Sequence, residues 1–177
     1  MKDFTHKVDK EMTFPLSIKA IDDTGKFEGY ASTFGNQDSQ GDVVVKGAFK
    51  KTIGIRKGKW PILWQHSSAQ PVGVNVAAEE DDKGLKVAGE INVTSDDGKK
   101  AHDWMKFAMD RDLPVGLSIG FRIREKDTVG GIRYLKEIQL VEYSIVTFPA
   151  NEEANVTGVK SVTNEDVTKA MDFNEAL

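Results

Sequence analysis

Three residues of the sequence have side chains that together could carry out acyl transfer: His66, Ser118 and Glu142. A hydroxyl nucleophile needs a base to accept its proton, and the base needs a third group that orients it. A histidine and a carboxylate fill these two roles in Ser-His-acid relays. The chain order of the three residues here differs from the orders in chymotrypsin, subtilisin and the α/β-hydrolases.

His66 ends a short apolar run and precedes small polar residues. The ends of strands that face loops are frequent positions for catalytic groups. His6 lies in the polar N-terminus, and His102 lies on the flank of a predicted helix. A purely structural role is the alternative for each histidine. His66 and His102 lie on different elements and lack a local ligand spacing, so we predict no metal site and no cofactor.

Ser118 lies in a stretch where Leu117 and Ile119 are predicted to face the core, so its own side chain points to the other face. Gly116 and Gly120 share that face, and we interpret them as leaving an open approach for a substrate. The Gly-x-Ser-x-Gly pattern also arises by chance. It lacks the strand, turn and helix that surround the nucleophile of an α/β-hydrolase.

Glu142 is the only charged residue between Leu140 and Val146. A carboxylate in so apolar a strand needs a partner if it is buried, and a nearby imidazole would serve. The alternative is a glutamate on the solvent face of its strand.

The segments that must position these residues are mainly short strands. Alternating apolar and polar residues predict strands at residues 14–20, 26–34, 43–45, 61–66, 72–78, 85–93, 115–124, 132–138 and 140–148. The spacing from Thr94 to Asp97 matches a capping box, and it predicts a helix whose packed face includes Ala101 and Met105. We therefore predict a β-rich α+β fold, a closed or strongly curved antiparallel β-barrel of about seven strands with flanking helices.

Composition excludes several kinds of chemistry. The chain has 177 residues, no Cys, and 24 basic against 28 acidic residues, so its net charge is 24 − 28 = −4. Without Cys there is no thiol nucleophile, disulfide or iron–sulfur cluster. The mild acidity argues against a general nucleic-acid binder. We see no apolar run of ~20 residues and no signal-peptide core, so we expect a soluble protein that is made in the cytoplasm.

The length suits one domain with terminal extensions. We predict a flexible N-terminus at residues 1–12, a catalytic domain at 13–154, and a polar linker with a weak helix at 155–177.

Four segments resemble the prohead maturation proteases of tailed bacteriophages, of the HK97 type, which are related in fold to herpesvirus assemblins. These segments are residues 41–49, residues 63–66 followed by 71–73, residues 116–121, and residues 142–151. Their order and spacing make the combination more specific than any one of them.

This resemblance implies a serine endopeptidase that cleaves extensions of capsid or scaffold proteins inside the immature capsid, within the host cytoplasm. The family's histidine and serine fall on His66 and Ser118. Assemblins use a second histidine after the serine, but this chain has none after His102. The acid is therefore expected to be Glu142, with Glu137 as the fallback.

The resemblance also implies self-cleavage, which we place between Asn151 and Asn164, and a homodimer or higher oligomer. No membrane and no direct nucleic-acid role are expected. The alternative function is a catalytically inactive scaffold or capsid-assembly protein that retains the protease fold.

Overall fold

The computed structural model describes residues 10–14, 20–38 and 41–147 of the chain. Within these residues there are nine strands and two helices. The strands are β1 (Lys10–Phe14), β2 (Ala20–Ile21), β3 (Lys26–Thr33), β4 (Asp42–Val44), β5 (Pro61–Trp64), β6 (Ser67–Glu80), β7 (Gly84–Ile91), β8 (Gly116–Val129) and β9 (Ile132–Val146). The helices are α1 (Lys50–Arg56) and α2 (Asp96–Met109).

All the strands belong to one strongly curved sheet. Its order is β1-β8-β9-β5-β6-β7-β3-β2, and β4 pairs separately with β9. Strands β3 and β8 are far apart in this order yet contact each other, which shows that the sheet curls on itself. Within the described residues, the end strands β1 and β2 each pair on one side alone, so the sheet is an open half-barrel.

The prediction of a mostly β, strongly curved fold is therefore confirmed, whereas the alternative of a closed barrel is wrong. The prediction of a purely antiparallel sheet is wrong as well, because β4 and β5 both run parallel to β9. Alternation along a segment predicts a strand and its buried face. It contains no information about which strand becomes the neighbour or in which direction that neighbour runs.

The hydrophobic core fills the inside of the curl. Leu117, Ile119 and Phe121 of β8 have no exposed surface, as the alternation predicts. Tyr143 and Ile145 of β9 are equally buried beside them. The residues between these positions must face the outer side of the sheet, because successive side chains in a strand alternate between faces.

A β-bulge in β9 changes the face of the residues that follow it. Gly120 pairs with Glu142, but the next residue of β8, Phe121, pairs with Leu140, so Val141 is an extra residue. Leu140 consequently points into the core, 1 % exposed, while Glu142 points to the outer side. In a regular strand the two side chains would share a face.

The backbone N–H and carbonyl of Leu140, beside the bulge, form hydrogen bonds with two side chains from other parts of the chain. Its N–H donates to Thr52 Oγ1 of α1 at 3.1 Å, and its carbonyl accepts from Trp60 Nε1 at 3.1 Å. Both bonds are buried, so they stabilise the irregularity. The structure has the single strand β9 where the sequence pattern predicts two strands, 132–138 and 140–148.

Helix α2 begins one residue later than the capping box predicts. Ser95 is the N-cap, and its Oγ accepts a hydrogen bond from the Gly98 N–H at 3.2 Å. Ala101 and Met105 are buried as predicted. His102 is also buried, and its Nε2–H donates to the Asp22 carbonyl at 2.8 Å, which is a structural role.

Strand β1 covers Lys10–Phe14, and most of the predicted strand at 14–20 lies outside the described residues. The predicted C-terminal helix and the predicted self-cleavage region between Asn151 and Asn164 lie outside the described residues. In the part of the chain that the structure describes, no helix is both long enough and apolar enough to span a membrane.

Glu80 provides a test of the packing around α1. Its Oε1 accepts from the Phe49 N–H at 2.7 Å, while its Oε2 is buried without a hydrogen-bond partner in the described structure. Burial raises the pKa of this carboxyl above its ordinary value of 4.5. The folded state therefore holds the proton more tightly than the unfolded state, and stability is lost as the pH rises above 4.5 through the folded-state pKa.

We expect Glu80→Gln to raise Tm at pH 7 by roughly 1–3 °C, because the amide keeps an acceptor for Phe49 without a desolvated charge. The gain should disappear in thermal melts at pH 4 and below, where the wild-type carboxyl is also neutral. Glu90→Gln, at an exposed position, is the control and should change Tm little at either pH. A lower Tm for Glu80→Gln at pH 7 would contradict the interpretation.

Candidate active site

The structure brings His66, Ser118 and Glu142 into one hydrogen-bonded chain. His66 Nδ1 lies 2.8 Å from Glu142 Oε1, and His66 Nε2 lies 2.7 Å from Ser118 Oγ. An ionised carboxylate can only accept, so Nδ1 carries the proton of the neutral imidazole. Nε2 then has the lone pair that accepts from the Ser118 hydroxyl. This arrangement is able to draw a proton from the serine as its oxygen attacks a carbonyl carbon.

Strands β8 and β9 position the serine and the glutamate side by side. Ser118 pairs with Ser144, and Gly120 pairs with Glu142. All four positions lie on the outer face, opposite the buried Tyr143. The site is therefore built on two adjacent central strands, where backbone hydrogen bonds hold the register.

Gly120 makes space for the carboxylate. A Cβ atom added to Gly120 would lie 2.1 Å from Glu142 Oε1 and 3.0 Å from its Cδ. The expectation that Gly120 leaves an open approach for a substrate is therefore wrong, because Glu142 occupies that space. A glycine is needed here so that the Glu142 side chain can lie across β8 toward His66.

His66 lies in a two-residue turn between β5 and β6, not at the end of a strand. Trp64 pairs with Ser67, and the two residues between them have φ values of +51° for Gln65 and +58° for His66. Such left-handed conformations suit the tight hairpin turns that usually contain Asn and Gly. For other residues they cost about 1–2 kcal/mol each. Strained backbone of this kind is concentrated at functional sites.

Three hydrogen bonds to β9 and the residue after it hold the strained turn in place. The Gln65 N–H donates to the Ile145 carbonyl at 3.0 Å, and Gln65 Nε2 donates to Thr147 Oγ1 at 2.6 Å. The His66 N–H donates to Ser144 Oγ at 3.1 Å. The imidazole is thus directed over the outer face of β9, within reach of both Glu142 and Ser118.

Ser144 is a site residue that the sequence analysis missed. It has no exposed surface, and its Oγ donates to Glu142 Oε2 at 2.7 Å while accepting from the His66 N–H. Its position two residues after Glu142 was the available signal, because residues i and i+2 of a strand share a face.

The site is largely shielded from water. The side chains of His66 and Glu142 are 14 % and 7 % exposed, and Ser118 is fully buried. Each oxygen of the Glu142 carboxylate accepts one hydrogen bond, from His66 and from Ser144. Burial strengthens these bonds, and an unpaired carboxylate at this depth would be strongly unfavourable.

Tyr143 secures the same strand from the core side. Its hydroxyl donates to Asn75 Oδ1 of β6 at 3.0 Å, and the Asn75 amide group in turn donates to the carbonyls of Gly58 and Ala77. Burial raises the pKa of the Tyr143 hydroxyl well above its usual value, so it stays a neutral donor. The segment that carries Glu142 and Ser144 is therefore fixed on both faces.

The fallback acid, Glu137, lies elsewhere. It forms an ion pair with Lys51 of α1 at 3.0 Å, and five residues of strand place it ~16 Å from Glu142. His102 lies on α2, where its side chain is bonded to the Asp22 carbonyl, and it takes no part in the site. In the described part of the chain, no group of three or more His, Asp or Glu residues is arranged to hold a metal ion.

Comparison with known proteins identifies relatives of this chain. The sequence model of the family described as caudovirus prohead serine protease matches residues 14–170. The chain is 39% identical to the prohead protease of Enterobacteria phage HK97, over 78% of this chain and 61% of that protein. It is 29% identical to the prohead protease of Escherichia phage T5, over 86% of this chain and 73% of that protein.

Two further similarities are to a longer polyprotein and to a solved structure. A capsid polyprotein of Pseudomonas phage PAJU2 is 36% identical over 85% of this chain, which corresponds to 22% of the polyprotein. The structure of the bacteriophage T4 capsid assembly protease aligns with a TM-score of 0.62 at 13% identity, covering 79% of this chain and 97% of that one. The T4 similarity concerns the fold alone. The chain spans about three fifths of the HK97 protein and less than a quarter of the polyprotein.

The role of Gly120 can be tested by substitution. We expect Gly120→Ala to displace Glu142 and break its bond to His66, so the low-field NMR signal of the Nδ1–H should be lost. The added methyl should also lower the free energy of unfolding by about 1–3 kcal/mol, as overpacking does. Chemical denaturation of the same samples measures this second effect.

Gly54→Ala is the matched control, because a Cβ at this exposed position in α1 meets nothing within 4 Å. It should retain the NMR signal and be slightly more stable, since alanine favours a helix over glycine. A Gly120→Ala protein with an unchanged Nδ1–H signal would refute the assigned role.

Proposed function

Because the chain belongs to the caudovirus prohead serine protease family, we propose that it is a serine endopeptidase that cleaves extensions of capsid or scaffold proteins during prohead maturation. The observation that carries this proposal is the continuous chain of hydrogen bonds from Ser118 through His66 to Glu142. It supplies a nucleophile, a base and an orienting acid in contact, which peptide-bond cleavage requires.

In the proposed mechanism, Ser118 Oγ attacks the carbonyl carbon of the scissile peptide while His66 Nε2 takes its proton. The imidazolium then gives this proton to the leaving amine, and an acyl-serine ester remains. Water attacks the ester with His66 again acting as base, which releases the new carboxyl end and restores Ser118. Glu142 stabilises the imidazolium through Nδ1–H and keeps the ring in the productive tautomer.

The alternative, an inactive assembly protein that retains the fold, is less well supported. Such a protein would gain nothing from holding His66 in a strained turn or from burying a carboxylate against it. Both features cost stability. A site that is selected for chemistry explains why they are present together.

The proposed substrate is the phage's own capsid protein or scaffold, which the similarity to a capsid polyprotein supports. We place the enzyme inside the immature capsid in the host cell. We further propose a catalytic domain at residues 13–154, self-cleavage between Asn151 and Asn164, action as a homodimer or higher oligomer, and a fold relationship to herpesvirus assemblins. The family match begins at residue 14 and continues to residue 170, past the proposed domain end at 154.

Co-expression with the capsid protein of the same phage tests the function. Ser118→Ala should abolish processing of the capsid protein, since loss of the nucleophile of a triad lowers kcat roughly 10⁶-fold. Ser32→Ala is the matched control, because Ser32 is also a fully buried strand serine but lies on β3. Gel and mass analysis of the capsid protein gives the result. Equal processing by wild type and Ser118→Ala would refute the proposal.

Mass spectrometry of the purified enzyme tests self-cleavage separately. The wild type should lose a C-terminal fragment that begins between Asn151 and Asn164, whereas Ser118→Ala should keep its full mass. If the wild type processes the capsid protein but remains 177 residues long, the enzyme is a protease without self-cleavage.

A further inference from the structure

Ser144 connects the two halves of the site. Its hydroxyl donates to the Glu142 oxygen that does not bind His66, at 2.7 Å, and it accepts the His66 backbone N–H at 3.1 Å. A hydroxyl has one proton to donate and lone pairs to accept, so a single side chain satisfies both groups. Ser144 has no exposed surface, so water has no access to replace it at this position.

The carboxylate depends on this hydroxyl for its orientation. Glu142 has three rotatable side-chain bonds and reaches across Gly120 to meet the imidazole. With only the bond from His66, the carboxylate could rotate about that contact. The second bond, from Ser144 to Oε2, fixes the plane of the carboxylate, so that Oε1 stays directed at Nδ1.

The turn depends on Ser144 as well. His66 has a φ of +58°, a conformation that a non-glycine residue keeps only where surrounding contacts hold it. Its backbone N–H is bonded to the Ser144 hydroxyl, the same group that holds Glu142. The backbone of His66 and the acid that orients its ring are therefore tied to one atom of β9.

We propose that Ser144 is a positioning residue of this protease, and that its hydroxyl fixes the Glu142 carboxylate and the His66 turn relative to each other. Ser144 pairs with Ser118 across β8 and β9, but its hydroxyl bonds to Glu142 and to the His66 N–H, and it acts through the pair that it holds. This inference rests on the proposed function for its effect on catalysis, whereas the geometric effect can be measured without it.

Ser144→Ala removes the hydroxyl and leaves the strand side chain otherwise intact. We expect kcat on a peptide from the capsid processing site to fall roughly 10²-fold with KM nearly unchanged, because a small misplacement of the base affects the chemical step. The His66 Nδ1–H signal in the NMR spectrum should broaden or move to higher field. Ser32→Ala, a buried strand serine outside the site, should leave both kcat and the signal unchanged.

A double substitution separates positioning from a general loss of structure. In a Glu142→Gln background, Ser144→Ala should lower kcat by less than tenfold, because the carboxylate that Ser144 positions is already absent. Equal fold-losses in the two backgrounds would overturn the proposal, as would a wild-type-like kcat for Ser144→Ala. Circular dichroism and thermal melts confirm that each variant is folded at the assay temperature.

The NMR result keeps the two proposals distinguishable. If the wild type shows no cleavage that depends on Ser118, the proposed function fails. The positioning role is then decided by the Nδ1–H signal of Ser144→Ala alone. An unchanged signal in a folded Ser144→Ala protein refutes the positioning role whatever the activity.

Discussion

The buried carboxylate of Glu142 is the constraint on which the rest of the site depends. A charge with 7 % side-chain exposure must have a hydrogen-bond donor for each of its oxygens, or its desolvation would destabilise the fold. His66 and Ser144 supply those donors from two different elements. Once the carboxylate is satisfied in this way, the imidazole has one orientation, and Nε2 is directed at Ser118.

Two local irregularities make this arrangement possible, and both are costly in isolation. The bulge at Val141 places Leu140 in the core and Glu142 on the outer face. The left-handed turn at His66 brings the ring back over β9. Their costs are offset by bonds from Thr52 and Trp60 at the bulge and by three bonds at the turn. The sheet thus serves as a rigid frame for the two irregular segments that carry His66 and Glu142.

Much of the fold could be predicted from local patterns. Alternation predicted the faces of Leu117 and Ile119 and most of the strands, because a half-buried strand must alternate. The pairing of strands could not be predicted in this way. The parallel pairing of β4 and β5 with β9 brings together segments that are far apart in the sequence. For the same reason Ser144 was overlooked, since its importance depends on the turn that lies above it.

The amino-acid sequence by itself determined which residue types were available. With no Cys and one histidine in a promising position, a hydroxyl nucleophile with His66 as its base was the arrangement that remained. Only the tertiary structure decided between Glu142 and Glu137 as the group beside that base, and only it revealed Ser144 and the true function of Gly120. The physical reason is that contacts between β5, β8 and β9 depend on strand register, strand direction and one extra residue, none of which is encoded in the spacing of side chains along a single segment.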